Sequence, residues 1–231
     1  MSVTPLSAVV MAAGEGRRLR PLTERWPKPL LPVDGRPVLA VLVRELAAAG
    51  FELATVVVGH LAEQIEAFLG DGSAFGLEVR YARQPEPHGS ADAVRRAVAA
   101  GAAAPLLVAA ADTLFRPGDL ARMVSSWAGE TAGALGVRPS SDPERTPVRV
   151  ERGRVVALGE GEGLTGAPLW ILGEELAARL DGLPGPPFEL ADAFREALAA
   201  GETIRAVELG PTRDLTRPQD LVTENFPYLW M

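Results

Sequence analysis

Leu6-Ser7-Ala8-Val9-Val10-Met11-Ala12-Ala13-Gly14 is a short valine-rich run that stops at two alanines and a glycine. It reads as a buried strand emptying into a loop. Pro37 at a helix start, apolar Val38, Leu39, Leu42 and Leu46 at helical spacing, and Gly50 past the last turn predict an amphipathic helix. Leu53–Val58 is the next apolar strand, and Leu61, Ile65, Phe68 and Leu69 mark a helix ended by Gly70. Residues 77–82 alternate as a third strand. A helix carrying Ala93, Val94, Ala97 and Val98 leads to an apolar strand at 105–110, stopped by Asp112. Alternation of this kind predicts an α/β fold, a mostly parallel sheet sandwiched by helices. Ligands of such sheets sit at the strands' carboxyl ends.

From Thr131 the rhythm changes to shorter strand-like pieces at 132–137, 147–151, 154–158 and 167–172, which suit antiparallel additions to the sheet. Helices at 172–180 and 188–200, a strand at 203–209 and a final helix opening near Pro218 complete the reading. A length of 231 residues favours one domain, 1–231, over two small ones.

The composition, 47% hydrophobic and 23% charged, is that of an ordinary globular chain and excludes wholesale disorder. A net charge of −7 argues against a nucleic-acid-binding surface, and an anionic ligand would need a focused positive pocket. With no cysteine there is no thiol nucleophile, cysteine-zinc site or disulfide, and two isolated histidines, His60 and His88, make no zinc pattern. Neither a secretion signal at residues 1–7 nor a membrane span is read, so the expectation is a cytoplasmic protein. The apolar end, residues 226–231, is expected to pack on the body or on a partner. Oligomeric state is not legible.

Chemistry concentrates in residues 11–34. Gly14 and Gly16 let backbone amides approach a phosphate, and Arg17, Arg18, Arg20, Arg25 and Lys28 supply the positive field that the acidic whole lacks. Lys28 is the only lysine among 23 basic residues, which marks a place for a compact ammonium. A dinucleotide fingerprint wants a third glycine where Leu19 stands, which leaves an oxidoreductase remote, and the Walker pattern is absent. Asp112 at a strand end reads equally as a cap or a cation ligand, and Asp214 as a helix-capping turn or a ligand. Gln84 offers a donor and an acceptor that can pair with the edge of uracil or thymine.

The composite Ala-Gly-x-Gly-x-Arg-Leu, Pro-Leu-Thr and Pro-Lys-Pro-Leu-Leu-Pro-Val, in residues 13–33, resembles the signature of the sugar-phosphate nucleotidylyltransferases, the nucleoside-diphosphate-sugar pyrophosphorylases. Residues 84–93 resemble the family's base-recognition segment, and Ala111-Asp112 its metal-binding strand end. Thr212-Arg213-Asp214-Leu215-Thr216 resembles the segment carrying its second metal aspartate. Thr165-Gly166 and the Phe-Glu-Leu-Ala-Asp segment at 188–192 look like its sugar-contacting pieces.

The resemblance implies a Rossmann-like, GT-A-like mixed sheet with helices on both faces. The nucleotide part would be about residues 1–115 and the acceptor part about 116–231. It implies a magnesium-dependent reaction of a nucleoside triphosphate, UTP or dTTP in first place, with a sugar 1-phosphate, giving a nucleotide sugar and pyrophosphate. Ala12, Ala13, Gly14, Gly16, Gln84 and Gly89 would bind nucleotide, Arg18 and Lys28 would grip triphosphate oxygens, and Asp112 and Asp214 would hold Mg²⁺. Thr165, Gly166 and Glu189 would bind the acceptor, although Glu189 reads equally as an acid in a first helical turn.

One departure stands out. Where many relatives carry Glu-Lys-Pro, with the lysine on the sugar phosphate, residues 158–164 hold no basic residue. Arg138, Arg145, Arg149 or Arg213 are the substitutes. The alternatives are a cytidylyl- or guanylyltransferase using an aminosugar or non-sugar phosphate, and a nucleotide-binding regulatory subunit without efficient turnover.

Overall fold

The computed structural model describes residues 5–140, 142 and 145–226. Of the apolar chain end, residues 227–231 lie outside the described residues, so its packing stays an expectation. The first half holds strands β1 (Ser7–Ala12), β2 (Pro32–Val33), β3 (Arg36–Pro37), β4 (Leu53–Val58), β5 (Glu78–Arg83) and β6 (Leu106–Ala110). Helices α1 (Val38–Ala48), α2 (Ala62–Leu69) and α3 (Ser90–Ala99) connect them. Then follow β7 (Thr113–Leu114), α4 (Asp119–Ser125), β8 (Gly133–Pro139), β9 (Val148–Glu151), β10 (Arg154–Leu158) and β11 (Leu164–Leu172). The chain continues through α5 (Glu174–Arg179), α6 (Leu190–Ala199), β12 (Ile204–Glu208), β13 (Arg213–Asp214) and α7 (Pro218–Asn225).

Nine strands form one sheet in the order β5-β4-β1-β6-β11-β8-β12-β10-β9. The first four run parallel. β11 enters antiparallel to both β6 and β8, β12 lies parallel to β8, and β10 and β9 close the edge antiparallel. The mixed, mostly parallel sheet with helices on both faces is the expected one. Alternation explains how it is filled. Ala8, Val10 and Ala12 of β1 join a core with Leu39, Leu42, Ile65, Leu120 and Met123 of α1, α2 and α4. Val9 turns to the other face, with Val94, Leu176 and Phe194 of α3, α5 and α6. A strand covered on both sides has no polar face to show, hence the near-continuous apolar runs.

β1 is bonded to β4 on one side and β6 on the other, so the strand order reverses there. At such a switch the connections leave in opposite directions and a crevice opens beyond the strands' carboxyl ends. The ends of β1 and β6 carry Ala12-Ala13-Gly14 and Ala110-Ala111-Asp112 into that crevice.

One boundary and one additional helix differ from expectation. The helix predicted from residue 172 begins at Glu174, because Leu172 is still paired with Leu106 and Gly133 in the sheet. α4 was not legible, since seven residues with only Leu120 and Met123 fully buried among its larger apolar side chains give too short a period. The loop after β1 carries three single-turn helices, at Arg17–Leu19, Leu22–Glu24 and Lys28–Leu30.

Leu169, 0% exposed in β11 between β6 and β8, tests this packing. Leu169→Ala is expected to lower unfolding free energy by about 2–5 kcal/mol in a urea titration. A loss below about 0.5 kcal/mol, typical of a surface site, would contradict the placement.

Candidate active site

Gly16 lies at φ +62, and a Cβ there would stand 2.8 Å from Thr23 Cγ2. Glycine is demanded twice over, by conformation and by the approach of Thr23, whose hydroxyl donates to the Gly16 carbonyl at 2.9 Å. His60, after β4, meets the Thr23 carbonyl through Nε2 at 2.6 Å, and its amide donates to the Ala13 carbonyl at 3.2 Å. This histidine fastens the loop to the sheet. Of the loop's cations, Arg17 and Arg20 pair with Glu15 at 2.8 and 3.1 Å. The hydrogen bond from Arg17 holds the Glu15 carboxyl below its ordinary value. Arg18 turns instead toward the crevice, and Lys28 pairs with Asp112.

Asp112 follows β6 directly. Beyond it β7 forms a two-stranded ribbon with β13, Thr113 opposite Asp214, and the Leu215 amide donates to the Asp112 carbonyl at 3.2 Å. The two aspartates expected to share a metal are thereby brought together from 102 residues apart (214 minus 112). Their present partners are cations. Arg138 meets Asp214 in a bidentate pair at 3.0 and 2.9 Å, Arg145 adds a contact at 2.7 Å, and the Thr212 hydroxyl donates at 3.2 Å. The Arg138 side chain is 5% exposed. Burial pulls its guanidinium below the ordinary value, Asp214 pulls it back up, and Arg145 opposes.

A cavity of about 490 Å³ is lined by Arg18, Asp112, Arg138, Arg145, Gly166 and Asp214, among others. Thr165 stands directly across from Arg138 in the β11–β8 ladder, and its Oγ1 and the Arg138 Nε are buried without a hydrogen-bond partner among the described residues. Of the four arginines weighed as substitutes for the missing lysine, Arg138 and Arg145 line this cavity. Arg213 is held by Asp34 and Glu224, at 2.5 Å each, and they raise its guanidinium above the ordinary value. Arg149 pairs with Glu160 at 3.3 Å on the surface.

The base-recognition segment leaves the end of β5. Gln84 is 6% exposed, and its Nε2 donates to the Gly89 carbonyl at 3.0 Å and to Asp92 Oδ2 at 2.9 Å. The expected pairing, in which Gln84 both donates and accepts toward a base, is therefore corrected, because both amide hydrogens are spent inside the protein. Gly89 lies at φ +102, and a Cβ on it would stand 2.3 Å from the Phe188 carbonyl oxygen. Glu189 is likewise engaged: its Oε2 accepts from the Ser90 hydroxyl at 2.5 Å, while the Leu190 amide donates to Ser90 Oγ at 2.8 Å. It ties α6 to α3 and is not among the cavity-lining residues. His88 pairs with Glu86 at 2.8 Å.

Among the described residues no group of three or more His, Asp or Glu is arranged to hold a metal. Asp112 and Asp214 are hard oxygen donors lining one cavity, which fits a divalent cation completed by phosphate oxygens. Among the described residues Asp112 Oδ1 meets the Thr113 hydroxyl alone, at 3.3 Å, whereas Asp214 would join by exchanging Arg145 or Arg138. Among the described residues no helix is long and apolar enough to cross a membrane.

Residues 7–147 match the family model described as nucleotidyl transferase. An N-acetylmuramate alpha-1-phosphate uridylyltransferase of Neisseria meningitidis is 41% identical over 114 residues, 47% of this chain and 48% of that protein. A bifunctional IPC transferase and DIPP synthase of Rubrobacter xylanophilus is 36% identical over 229 residues, 94% of this chain and 50% of its own length. The chain thus spans about half the length of these two relatives. A solved structure assigned as a glucose-1-phosphate thymidylyltransferase from Bacillus anthracis superimposes with TM-score 0.85 at 20% identity, covering 96% of this chain and 94% of the other. That likeness is one of fold.

The ion-pair web makes its own prediction. Asp214→Ala strands a buried guanidinium and is expected to cost about 3–5 kcal/mol, read from urea unfolding. Adding Arg138→Met is expected to restore most of the loss, because an apolar chain then replaces the uncompensated charge. A double variant no more stable than Asp214→Ala alone would contradict the pairing.

Proposed function

This chain belongs to the nucleotidyl transferase family, and from that membership we propose that it transfers a nucleotidyl group, from UTP or dTTP in first place, to a sugar 1-phosphate. The observation that carries the reading is the cavity beside the end of β6, over β11 and β8, where Arg18, Asp112, Arg145 and Asp214 converge beside Gly166. A phosphate oxygen of the acceptor attacks the α-phosphorus in line, a new P–O bond forms, and the bond to the β-phosphate oxygen breaks to release pyrophosphate. Such a transfer needs positioning and charge rather than a side-chain nucleophile.

In this reading the amides around Ala13 and Gly14, with Ala12 and Gly16 shaping the turn, receive the nucleotide, and Gln84 and Gly89 its base. Arg18 and Lys28 bind triphosphate oxygens and offset charge as the leaving group departs. Gly166 faces the acceptor, with Thr165 behind it across from Arg138, and Arg145 takes the position of the missing lysine on the acceptor phosphate. Its place in the cavity lining, beside Asp214 at 2.7 Å, supports this. Asp112 and Asp214 would hold a divalent cation, magnesium in first place, which would neutralise phosphate charge. The N-acetylmuramate relative supports an aminosugar 1-phosphate as acceptor.

The test is a pyrophosphate-release screen with Mg²⁺, crossing UTP, dTTP, CTP and GTP with sugar and aminosugar 1-phosphates. Release with one preferred pair is expected, and silence across the panel despite triphosphate binding would favour the regulatory-subunit reading. On the active pair, Asp112→Asn is expected to lower turnover at least about a hundredfold. Arg145→Ala is expected to raise the acceptor KM about tenfold while triphosphate affinity holds, as loss of one charged contact predicts.

A further inference from the structure

The turn between β4 and α2, residues 59–61, takes a conformation that its sequence does not favour. Leu61 lies at φ +53 and ψ +36, the left-handed region that a leucine rarely adopts. Single residues held there mark places where the surroundings dictate the backbone. A Cβ on Gly59 would stand 2.6 Å from the Gln84 carbonyl oxygen and 2.9 Å from that of Ala13, so the turn is pressed against the chain just beyond β5 and β1. What it grips is the loop after β1. The His60 amide donates to the Ala13 carbonyl at 3.2 Å, its ring Nε2 donates to the Thr23 carbonyl at 2.6 Å, and in α2 Gln64 Nε2 donates to the Arg25 carbonyl at 3.0 Å. A carbonyl only accepts, so the ring hydrogen of His60 is on Nε2. Buried Thr23 passes the restraint on, because its hydroxyl donates to the Gly16 carbonyl at 2.9 Å. Gly14, Gly16 and Arg18 therefore hang between fixed points at 13 and 23, and Leu19, buried with Leu31, Val38, Leu114 and Leu215, pins the other side of the loop. A loop with two glycines would otherwise sample many backbone conformations.

We propose that the turn after β4 is a clamp that sets the shape of the glycine loop before a triphosphate arrives, with His60 as its positioning residue. His60 is not among the residues lining the cavity and acts through Thr23 and Ala13. Ordering the loop in the folded protein removes that cost from binding, so the amides around Gly14 and the guanidinium of Arg18 meet phosphate oxygens without first being collected into place. The strained backbone at Leu61 is the local expense of directing His60 and Gln64 at loop carbonyls. The proposal rests on the nucleotide-site reading above and names the group that holds that site's loop in shape. Its consequence is one-sided: loss of the clamp weakens the triphosphate and leaves the acceptor alone.

Two measurements on the full chain test this. Trypsin nicking at Arg17, Arg18 and Arg25 under native conditions reports how often the loop leaves its folded conformation, and it needs no ligand. His60→Leu, which keeps bulk and removes the donor, is expected to speed nicking at least about tenfold, the effect of one lost hydrogen bond at a part-buried carbonyl. Calorimetric titration in Mg²⁺ with UTP and with inorganic pyrophosphate is expected to show both bound at least about tenfold more weakly by this variant. In turnover its UTP KM rises while the acceptor KM holds. His60→Gln, whose Nε2 still donates, is expected to stay within about threefold of the unaltered protein in both measurements. Gln64→Leu, on the more exposed arm, is expected to move both in the same direction by about threefold, which keeps the test open if His60→Leu fails to fold. Unchanged nicking or unchanged UTP affinity in a cooperatively melting His60→Leu variant would overturn the proposal, as would a His60→Gln variant as impaired as His60→Leu. If the unaltered protein binds neither UTP nor pyrophosphate, the nucleotide-site reading falls and the clamp's role with it, whereas the nicking rates still show whether His60 holds the loop.

Discussion

Two guanidiniums, Arg138 from β8 and Arg145 from the segment after it, converge on the carboxylate of Asp214, and the backbone of Asp214 is in turn paired with Thr113 beyond β6. This junction joins three distant stretches of chain at the open end of the sheet. Together with the β7–β13 ladder it returns the segment after β12 to the carboxyl ends of the parallel strands, where it forms one wall of the cavity. A buried charge pair is weak evidence of stability for its own sake, since desolvation offsets much of the attraction. Its value here is geometric, because each partner fixes where the other stands on the cavity wall.

The same logic runs through the whole site. A chain of net charge −7 offers no broad positive surface, and almost every cation near the crevice has an acid as its resting partner. Lys28 has Asp112, Arg17 and Arg20 have Glu15, and Arg138 and Arg145 have Asp214. An entering phosphate therefore exchanges partners with groups already oriented, rather than condensing on a loose patch. Fixed charges of this kind cost little reorganisation when charge shifts between phosphates, which is the property a phosphoryl-type transfer requires.

How much of this was legible in the sequence depends on distance along the chain. The strands and crossovers of residues 7–110 follow from local apolar period and glycine stops, and their positions were readable to within a few residues. The glycine loop was also readable, although the reason for Gly16 is the close approach of Thr23 as much as any phosphate. What could not be read were pairings across long separations: Thr113 with Asp214, Ser90 with Glu189, and Gly89 against Phe188. Glu189 shows the difference. Its place at the start of a helix was visible, but its partner lies 99 residues away on α3, and no local pattern encodes that. Arg138 was visible only as an arginine ending an apolar run, a weak sign of a buried counter-ion.

The central claim is that the triphosphate and the acceptor phosphate meet in the cavity between Arg18, Asp112 and Asp214. The most direct measurement is a crystal structure of the full chain with UTP and a divalent cation. The account predicts triphosphate oxygens on Lys28 and Arg18, the α-phosphorus facing the cavity beside Asp112, and the uracil against Gln84. A triphosphate seated elsewhere, for example in the second cavity lined by Asp34, Arg36, Arg116 and Arg213, would contradict it.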